Sequence, residues 1–138
     1  MNKKTLIEEI INSRLHQIPI DNNNKFIIKS INEAYAIQDI VNEKLTLSGF
    51  GKIEGYKIGC TNKVIQKELS INHPILGVFF ENKIIKNNSS ISLNKFIQAG
   101  VECELYAVIG EDITKETPYN YKNINEFISY YGISLEIV

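Results

Sequence analysis

The spacing of apolar residues changes near Gly49, and this change limits the fold class more than any other feature of the chain. Before Gly49, apolar side chains recur every three or four residues, as they do on one face of a helix. After it, apolar residues come in short runs or alternate with polar ones, which is typical of strands. Helices followed mostly by strands predict an α+β domain.

Two helices are predicted before Gly49, and each begins at a capping-box sequence. Thr5–Glu8 opens the first helix, which Pro19 ends. Ser30–Glu33 opens the second, and Gly49 stands where glycine commonly follows a helix. The apolar stripe of this second helix consists of Ala34, Ile37, Val41 and Leu45.

Several shorter elements are predicted after Gly49. Val101–Ile109 has the clearest strand pattern, and Gly77–Phe80 is predicted to pair with Ile84–Ile85 in a hairpin. The other expected elements are a strand at Gly55–Gly59, a short helix capped by Thr61 with Val64, Ile65 and Leu69 on its inner face, a weaker strand at Ser89–Leu93, a helix at Asn123–Tyr131 and a last strand at Ile133–Val138.

The composition excludes several classes of protein. With 138 residues, of which 43% are hydrophobic, the chain has the material for a folded core. Its formal net charge of -1 argues against nucleic-acid binding, which usually requires a basic excess. Glu8 and Glu9 interrupt the apolar stretch that a signal peptide would need. No apolar run reaches the ~20 residues that span a bilayer. We therefore expect a cytoplasmic protein with neither a nucleic-acid nor a membrane partner.

The strand Val101–Ile109 carries two acidic residues on one face. Residues i and i+2 of a strand point the same way, so Glu102 and Glu104 share a face with Tyr106 and lie opposite an apolar face. Two neighbouring carboxylates repel each other, and a divalent cation would remove that repulsion. The spacing alone favours the simpler interpretation, a solvated strand face.

Glu136 adds a third carboxylate. It is the one acidic residue in the apolar segment Ser134–Val138, where it is either exposed at an edge or a ligand. Three carboxylate oxygens form a hard environment that suits Mg²⁺ or Mn²⁺. His16 and His73 lack the spacing of metal ligands, which disfavours zinc.

Lys57 is the other candidate for chemistry. It stands between Tyr56 and Ile58 in the predicted strand that glycines flank. A strand lysine most often points to water, but a lysine beside a metal can act as a general acid or base or orient a substrate carboxylate. Both interpretations stay open on the residues alone.

Five short motifs follow one another along the chain. They are Glu33–Gln38, Gly55–Lys63 with Gln66 after it, Pro74 with Gly77–Val78, Val101–Glu104, and Leu135–Val138. In this order and spacing they resemble the 2-keto-4-pentenoate hydratase / 4-oxalocrotonate decarboxylase group of the fumarylacetoacetate hydrolase superfamily. No single motif is specific, but the set is.

The resemblance implies a role for each candidate residue. Glu102, Glu104 and Glu136 match the carboxylates that hold Mg²⁺ or Mn²⁺ in this group, and Lys57 matches its active-site lysine. The implied substrate is a short 2-hydroxydienoate, or its 2-oxo tautomer, from the meta-cleavage breakdown of aromatic compounds. The metal would stabilise an enolate, and Lys57 would shuttle a proton before water adds to the distant double bond. The exact substrate stays open.

The resemblance also implies a longer protein, because family members extend beyond the match. Residues 1–50 are expected to form an N-terminal helical segment, and residues 51–138 the first part of a mixed β-roll. We expect a truncated chain that forms a homo-oligomer or pairs with a missing C-terminal half.

Three alternatives to a hydratase stay open. In a 2-oxo acid decarboxylase, the same metal-stabilised enolate would accept the electrons released with CO₂. An inactive fragment would explain a chain that stops just after Glu136. Hydrolysis of an acylpyruvate ranks lower, because such enzymes activate water with a His–Glu pair and no suitable glutamate follows His16.

Overall fold

The computed structural model describes residues 2–20, 26–117, 120 and 122–138. Helices and two-stranded antiparallel sheets are both present, so the predicted α+β class is confirmed. The chain divides into two compact units, Met1–Ser92 and Leu93–Val138. The division at residues 50 and 51 stays a prediction. Among the described residues, no helix is long and apolar enough to cross a membrane.

Helix α1 (Lys3–His16) begins earlier than the sequence predicted. Asn2 caps it, because the Asn2 side chain accepts a hydrogen bond from the Thr5 backbone N–H at 3.0 Å. The capping box predicted at Thr5 is therefore wrong, and Thr5 lies in the first turn. Leu6 and Ile7 bury the inner face of α1 against the core of the first unit.

Helix α2 (Ile31–Leu45) begins where the sequence predicted. Ser30 is its cap, and the Ser30 hydroxyl accepts from the Glu33 backbone N–H at 3.1 Å. The predicted stripe is confirmed at three positions, Ile37, Val41 and Leu45, which are all buried. A closing turn, Thr46–Phe50, follows, and in it Gly49 takes a φ of 95° that favours glycine.

The sheet of the first unit consists of β1 (Ile53–Gly59) and β2 (Ile75–Phe80), which run antiparallel. The predicted hairpin between β2 and Ile84–Ile85 is wrong. The ladder runs on beyond β2, where the Glu81 N–H donates to the Lys52 carbonyl, and the chain then closes in a single helical turn, Glu81–Lys83. Within this turn the Ile84 N–H donates to the Glu81 carbonyl at 3.2 Å, so the segment after β2 does not fold back as a paired strand.

The core of the first unit lies where α1, α2 and the end of β2 meet. Phe80 at the end of β2 packs edge-to-face on Phe50, with ring centroids 5.3 Å apart. The buried apolar side chains of the described residues all belong to this unit: Leu6, Ile7, Ile37, Val41, Leu45, Phe50 and Phe80.

Between the two strands lies the short helix α3 (Lys63–Glu68). Its cap is Asn62, whose side chain accepts from the Val64 N–H at 2.7 Å, so the predicted cap at Thr61 is wrong. The predicted inner face is also wrong, because Val64, Ile65 and Leu69 are exposed and Gln66 is the buried residue.

The second unit is a long antiparallel pair, β3 (Val101–Ile109) and β4 (Ile128–Ile137). Strand β3 is confirmed. The helix predicted at Asn123–Tyr131 is wrong, because one helical turn, Ile124–Phe127, leads directly into β4. The strand predicted at Ser89–Leu93 is wrong as well, since that segment joins no sheet.

Candidate metal centre

The register of β3 and β4 brings three acidic side chains onto one face of the second sheet. Glu102 lies directly opposite Glu136, and Glu104 lies opposite Ser134. Glu104 is two residues from Glu102, so the side chains of both point to the same side as that of Glu136. One carboxylate oxygen of each residue lies within 4.8 Å of the other two. Glu102 and Glu104 are exposed, and Glu136 is half-buried.

The donor set of this face fits a hard divalent cation. Carboxylate oxygens are the preferred ligands of Mg²⁺ and Mn²⁺. Oxygens at about 2.1 Å from an octahedral ion are at most ~4.2 Å apart, so small side-chain rotations would suffice from a separation of 4.8 Å. The structure thus brings together Glu102, Glu104 and Glu136, while their role as metal ligands stays a prediction.

The same face continues along the sheet beyond the three glutamates. Ser134 stands opposite Glu104, and the next pair is Tyr106 opposite Gly132. Tyr106 could be placed on this face from the alternation of β3 alone. The positions of Ser134 and Gly132 on this face could not, because they depend on the register between two strands that are distant in the sequence.

Lys57 lies in β1 of the first unit, opposite Gly77 of β2. Its aliphatic stem lies over Gly77, where an added Cβ would stand 3.2 Å from Lys57 Cγ. Glycine at this position therefore leaves room for the lysine stem on the surface of the sheet. The predicted strand around Lys57 is confirmed, and its catalytic role stays a prediction.

Gln66 is a buried polar residue that supports the turn after Lys57. Its side-chain amide donates to the Cys60 carbonyl at 2.7 Å and accepts from Lys63 Nζ at 2.9 Å. Cys60 has a φ of 56°, a left-handed conformation that is costly for a residue with a Cβ. Gln66 thus holds a strained turn that begins just after β1.

Neither histidine joins the acidic cluster. His16 Nδ1 lies 3.1 Å from the Asn12 carbonyl in α1, and His73 Nδ1 lies 2.7 Å from the Pro74 carbonyl. Within the described ranges, Glu102, Glu104 and Glu136 form the one group of three potential ligands close enough to share an ion.

Comparison with known proteins shows what the chain is related to. No family model matches it. It is 32% identical to 2-keto-4-pentenoate hydratase of Paraburkholderia xenovorans (strain LB400) over 109 residues, which is 79% of this chain and 40% of that protein. The chain is thus similar to 2-keto-4-pentenoate hydratases along about two fifths of their length. The resemblance drawn from the sequence motifs is confirmed.

Two further hydratases extend this relationship. 2-Keto-4-pentenoate hydratase 1 of Dechloromonas aromatica (strain RCB) is 29% identical over 114 residues, which is 83% of this chain and 43% of that protein. The 2-oxo-hept-4-ene-1,7-dioate hydratase of Escherichia coli is 29% identical over 85 residues, 61% of this chain and 31% of that protein. The chain spans about two fifths of the length of the 2-keto-4-pentenoate hydratases it matches.

Proposed function

We propose that the chain carries the metal-binding carboxylates and the proton-carrying lysine of a hydro-lyase for short unsaturated 2-oxo acids. The observation that carries this proposal is the meeting of Glu102, Glu104 and Glu136 on one sheet face. The chain is also similar to hydratases whose names share a 2-oxo acid with a double bond farther along the carbon chain. We place this activity in the cytoplasmic breakdown of aromatic compounds, in a homo-oligomer or in an assembly with a second chain.

The three glutamates would hold Mg²⁺ or Mn²⁺, whose charge would stabilise the negative charge that develops on the 2-oxo group. Their own contribution would be to hold this cation on the β3–β4 face and so to set where the anionic end of the substrate binds. Because β3 and β4 pair directly at Glu102 and Glu136, the backbone ladder sets the spacing of these ligands.

Lys57 would carry the proton that converts the 2-hydroxydienoate into its 2-oxo tautomer. One proton leaves the 2-hydroxyl oxygen and one is added to a carbon of the diene. The tautomerisation therefore changes neither the composition nor the charge of the substrate. Water then adds across the remaining double bond, with hydrogen on one carbon and hydroxyl on the other.

Calorimetric titration with Mn²⁺ tests the metal site. We expect the wild-type chain to bind Mn²⁺ and Glu104→Gln to bind it at least about tenfold more weakly, because one charged ligand is lost. Glu111→Gln is the matched control, since it removes one negative charge outside the cluster. Equal affinity of the wild type and Glu104→Gln would contradict the proposal.

Turnover tests Lys57 separately. In the presence of Mn²⁺, consumption of 2-hydroxypenta-2,4-dienoate is followed by the loss of its ultraviolet absorbance. We expect Lys57→Met to lower kcat by a factor of about 10² or more while the affinity for Mn²⁺ is unchanged. Lys67→Met, at an exposed position of α3, is the control. A wild-type chain that binds Mn²⁺ without turnover would favour the inactive-fragment alternative.

A further inference from the structure

The face that carries the three glutamates becomes aromatic farther along the two strands. Beyond the pair of Glu104 and Ser134, the next pairs are Tyr106 with Gly132 and Val108 with Tyr130. The rings of Tyr106 and Tyr130 meet edge-to-face, with centroids 6.1 Å apart at an interplanar angle of 82°. A polar, acidic end and an aromatic end thus share one face of the same sheet.

Gly132 determines where the Tyr106 ring lies. A Cβ added at position 132 would overlap the ring carbons and the hydroxyl of Tyr106, so the ring leans across the sheet onto the Gly132 backbone. Any larger residue would lift the ring off β4. Tyr106 is 41% exposed and Tyr130 is 54% exposed, so both side chains remain available for contact.

The distance between the two ends suits a short carbon chain. Tyr106 follows Glu104 by two residues, which is roughly 6.6 Å along a strand. A 2-oxo acid whose carboxylate and 2-oxo group met a cation held by the glutamates, and whose chain ran along the strands, would place its hydrocarbon end over the aromatic pair. Contact with an aromatic ring favours such an end, because it removes apolar surface from water.

We propose that Tyr106 and Tyr130, with Gly132 beneath Tyr106, form the subsite for the hydrocarbon end of a 2-oxo acid. This rests on the proposed function, since the polar end is assigned to Glu102, Glu104 and Glu136. Tyr106 is then a residue that sets specificity: it selects for chain length and leaves the metal ligands unchanged.

Binding of two probe acids to the Mn²⁺-loaded chain tests the subsite. Pyruvate has a one-carbon tail, and 2-oxohexanoate extends the same 2-oxo acid with a hydrocarbon chain. We expect the wild type to bind 2-oxohexanoate about three- to tenfold more tightly than pyruvate. Tyr106→Ala should bring the two affinities to within about twofold, with the affinities for Mn²⁺ and pyruvate unchanged.

Three further variants separate this role from a purely structural one. Tyr106→Phe keeps the ring and should keep the discrimination. Gly132→Ala should weaken it, because the new Cβ displaces the ring. Tyr131→Ala is the matched control, since Tyr131 lies on the opposite face of β4 and pairs with Ala107.

The outcomes distinguish this proposal from the one it rests on. Loss of discrimination in Tyr106→Ala but not in Tyr131→Ala supports the subsite. A wild type that binds Mn²⁺ yet holds both acids equally, or a Tyr106→Ala variant that discriminates as well as the wild type, overturns the subsite alone. A wild type that binds no Mn²⁺ overturns the metal site and the subsite together.

Discussion

At the scale of single residues, Gln66 shows how a buried polar side chain can hold a strained turn. It is 2% exposed, and its amide joins Cys60 on one side to Lys63 on the other. The turn it holds includes the left-handed Cys60 and begins three residues after Lys57. A polar group buried this deeply is tolerated because both ends of the amide have partners.

We expect Gln66→Ala to lower the free energy of unfolding by about 2 kcal/mol, because the Cys60 carbonyl loses its donor and a buried side chain is removed. Urea denaturation measures the change. The control is Lys67→Ala, an exposed change on the same helix that should cost less than about 0.5 kcal/mol. A loss of the same size in both variants would show that the Gln66 contacts contribute little.

The candidate residues were predictable to the extent that they follow from local alternation. Glu102 and Glu104 had to share a face once Val101–Ile109 was identified as a strand. The position of Glu136 opposite Glu102 depends on pairing across more than thirty residues of sequence, which no local pattern encodes. The burial of Gln66 was missed for a related reason. Its hydrogen-bond partners, Cys60 and Lys63, lie at a turn, and the spacing of apolar residues carries no information about such polar contacts.

At the scale of elements, α2 is the helix best specified by local signals. The Ser30 cap, the buried stripe and the acidic Glu33 in the first turn all act within one helix. Glu33 also accepts from the Lys29 N–H at 2.8 Å and pairs with Lys3 of α1 at 3.5 Å. The hydrogen bond from Lys29, with the charge of Lys3 adding to it, lowers the pKa of Glu33 below its ordinary value of 4.5.

This pKa direction predicts how Glu33 contributes to stability as the pH falls. A carboxyl group with a lowered folded-state pKa stabilises the fold above its unfolded value, and that contribution is lost as the pH falls through the folded value. We expect the thermal midpoint of the wild type to fall more than that of Glu33→Gln between about pH 7 and about pH 3. Glu43→Gln, at the other end of α2, is the control. Parallel curves for the wild type and Glu33→Gln would contradict the prediction.

Elements that depend on distant partners were harder to predict than α2. The apolar run at Gly77–Phe80 was correctly identified as a strand, but its partner was sought in the next run rather than in β1. The segment Asn123–Tyr131 has a helical spacing of apolar residues, yet from Ile128 it pairs with β3. Tertiary pairing overrides weak local preference in both cases.

At the scale of the whole molecule, the two units differ in how much they bury. The buried apolar residues of the described chain lie in Met1–Ser92, around α1, α2 and Phe80. In Leu93–Val138 no described side chain is fully buried, and the face of β3–β4 opposite the glutamates exposes large apolar residues. These include Val101, Leu105, Ile133 and Leu135. A two-stranded sheet of this kind is marginally stable in water.

Amide hydrogen exchange, measured by mass spectrometry, should therefore separate the two units. We expect β3 and β4 to exchange faster than α2, because opening of the second unit exposes little buried surface. Mn²⁺ should slow exchange in β3 and β4 and leave α2 unchanged, since an ion that binds the folded cluster stabilises it by mass action. In Glu104→Gln this protection should disappear, whereas Glu111→Gln should retain it. Equal protection of α2 and of β3 and β4 by Mn²⁺ would show that the ion acts on the chain as a whole and would contradict a stabilising site confined to the β3–β4 face.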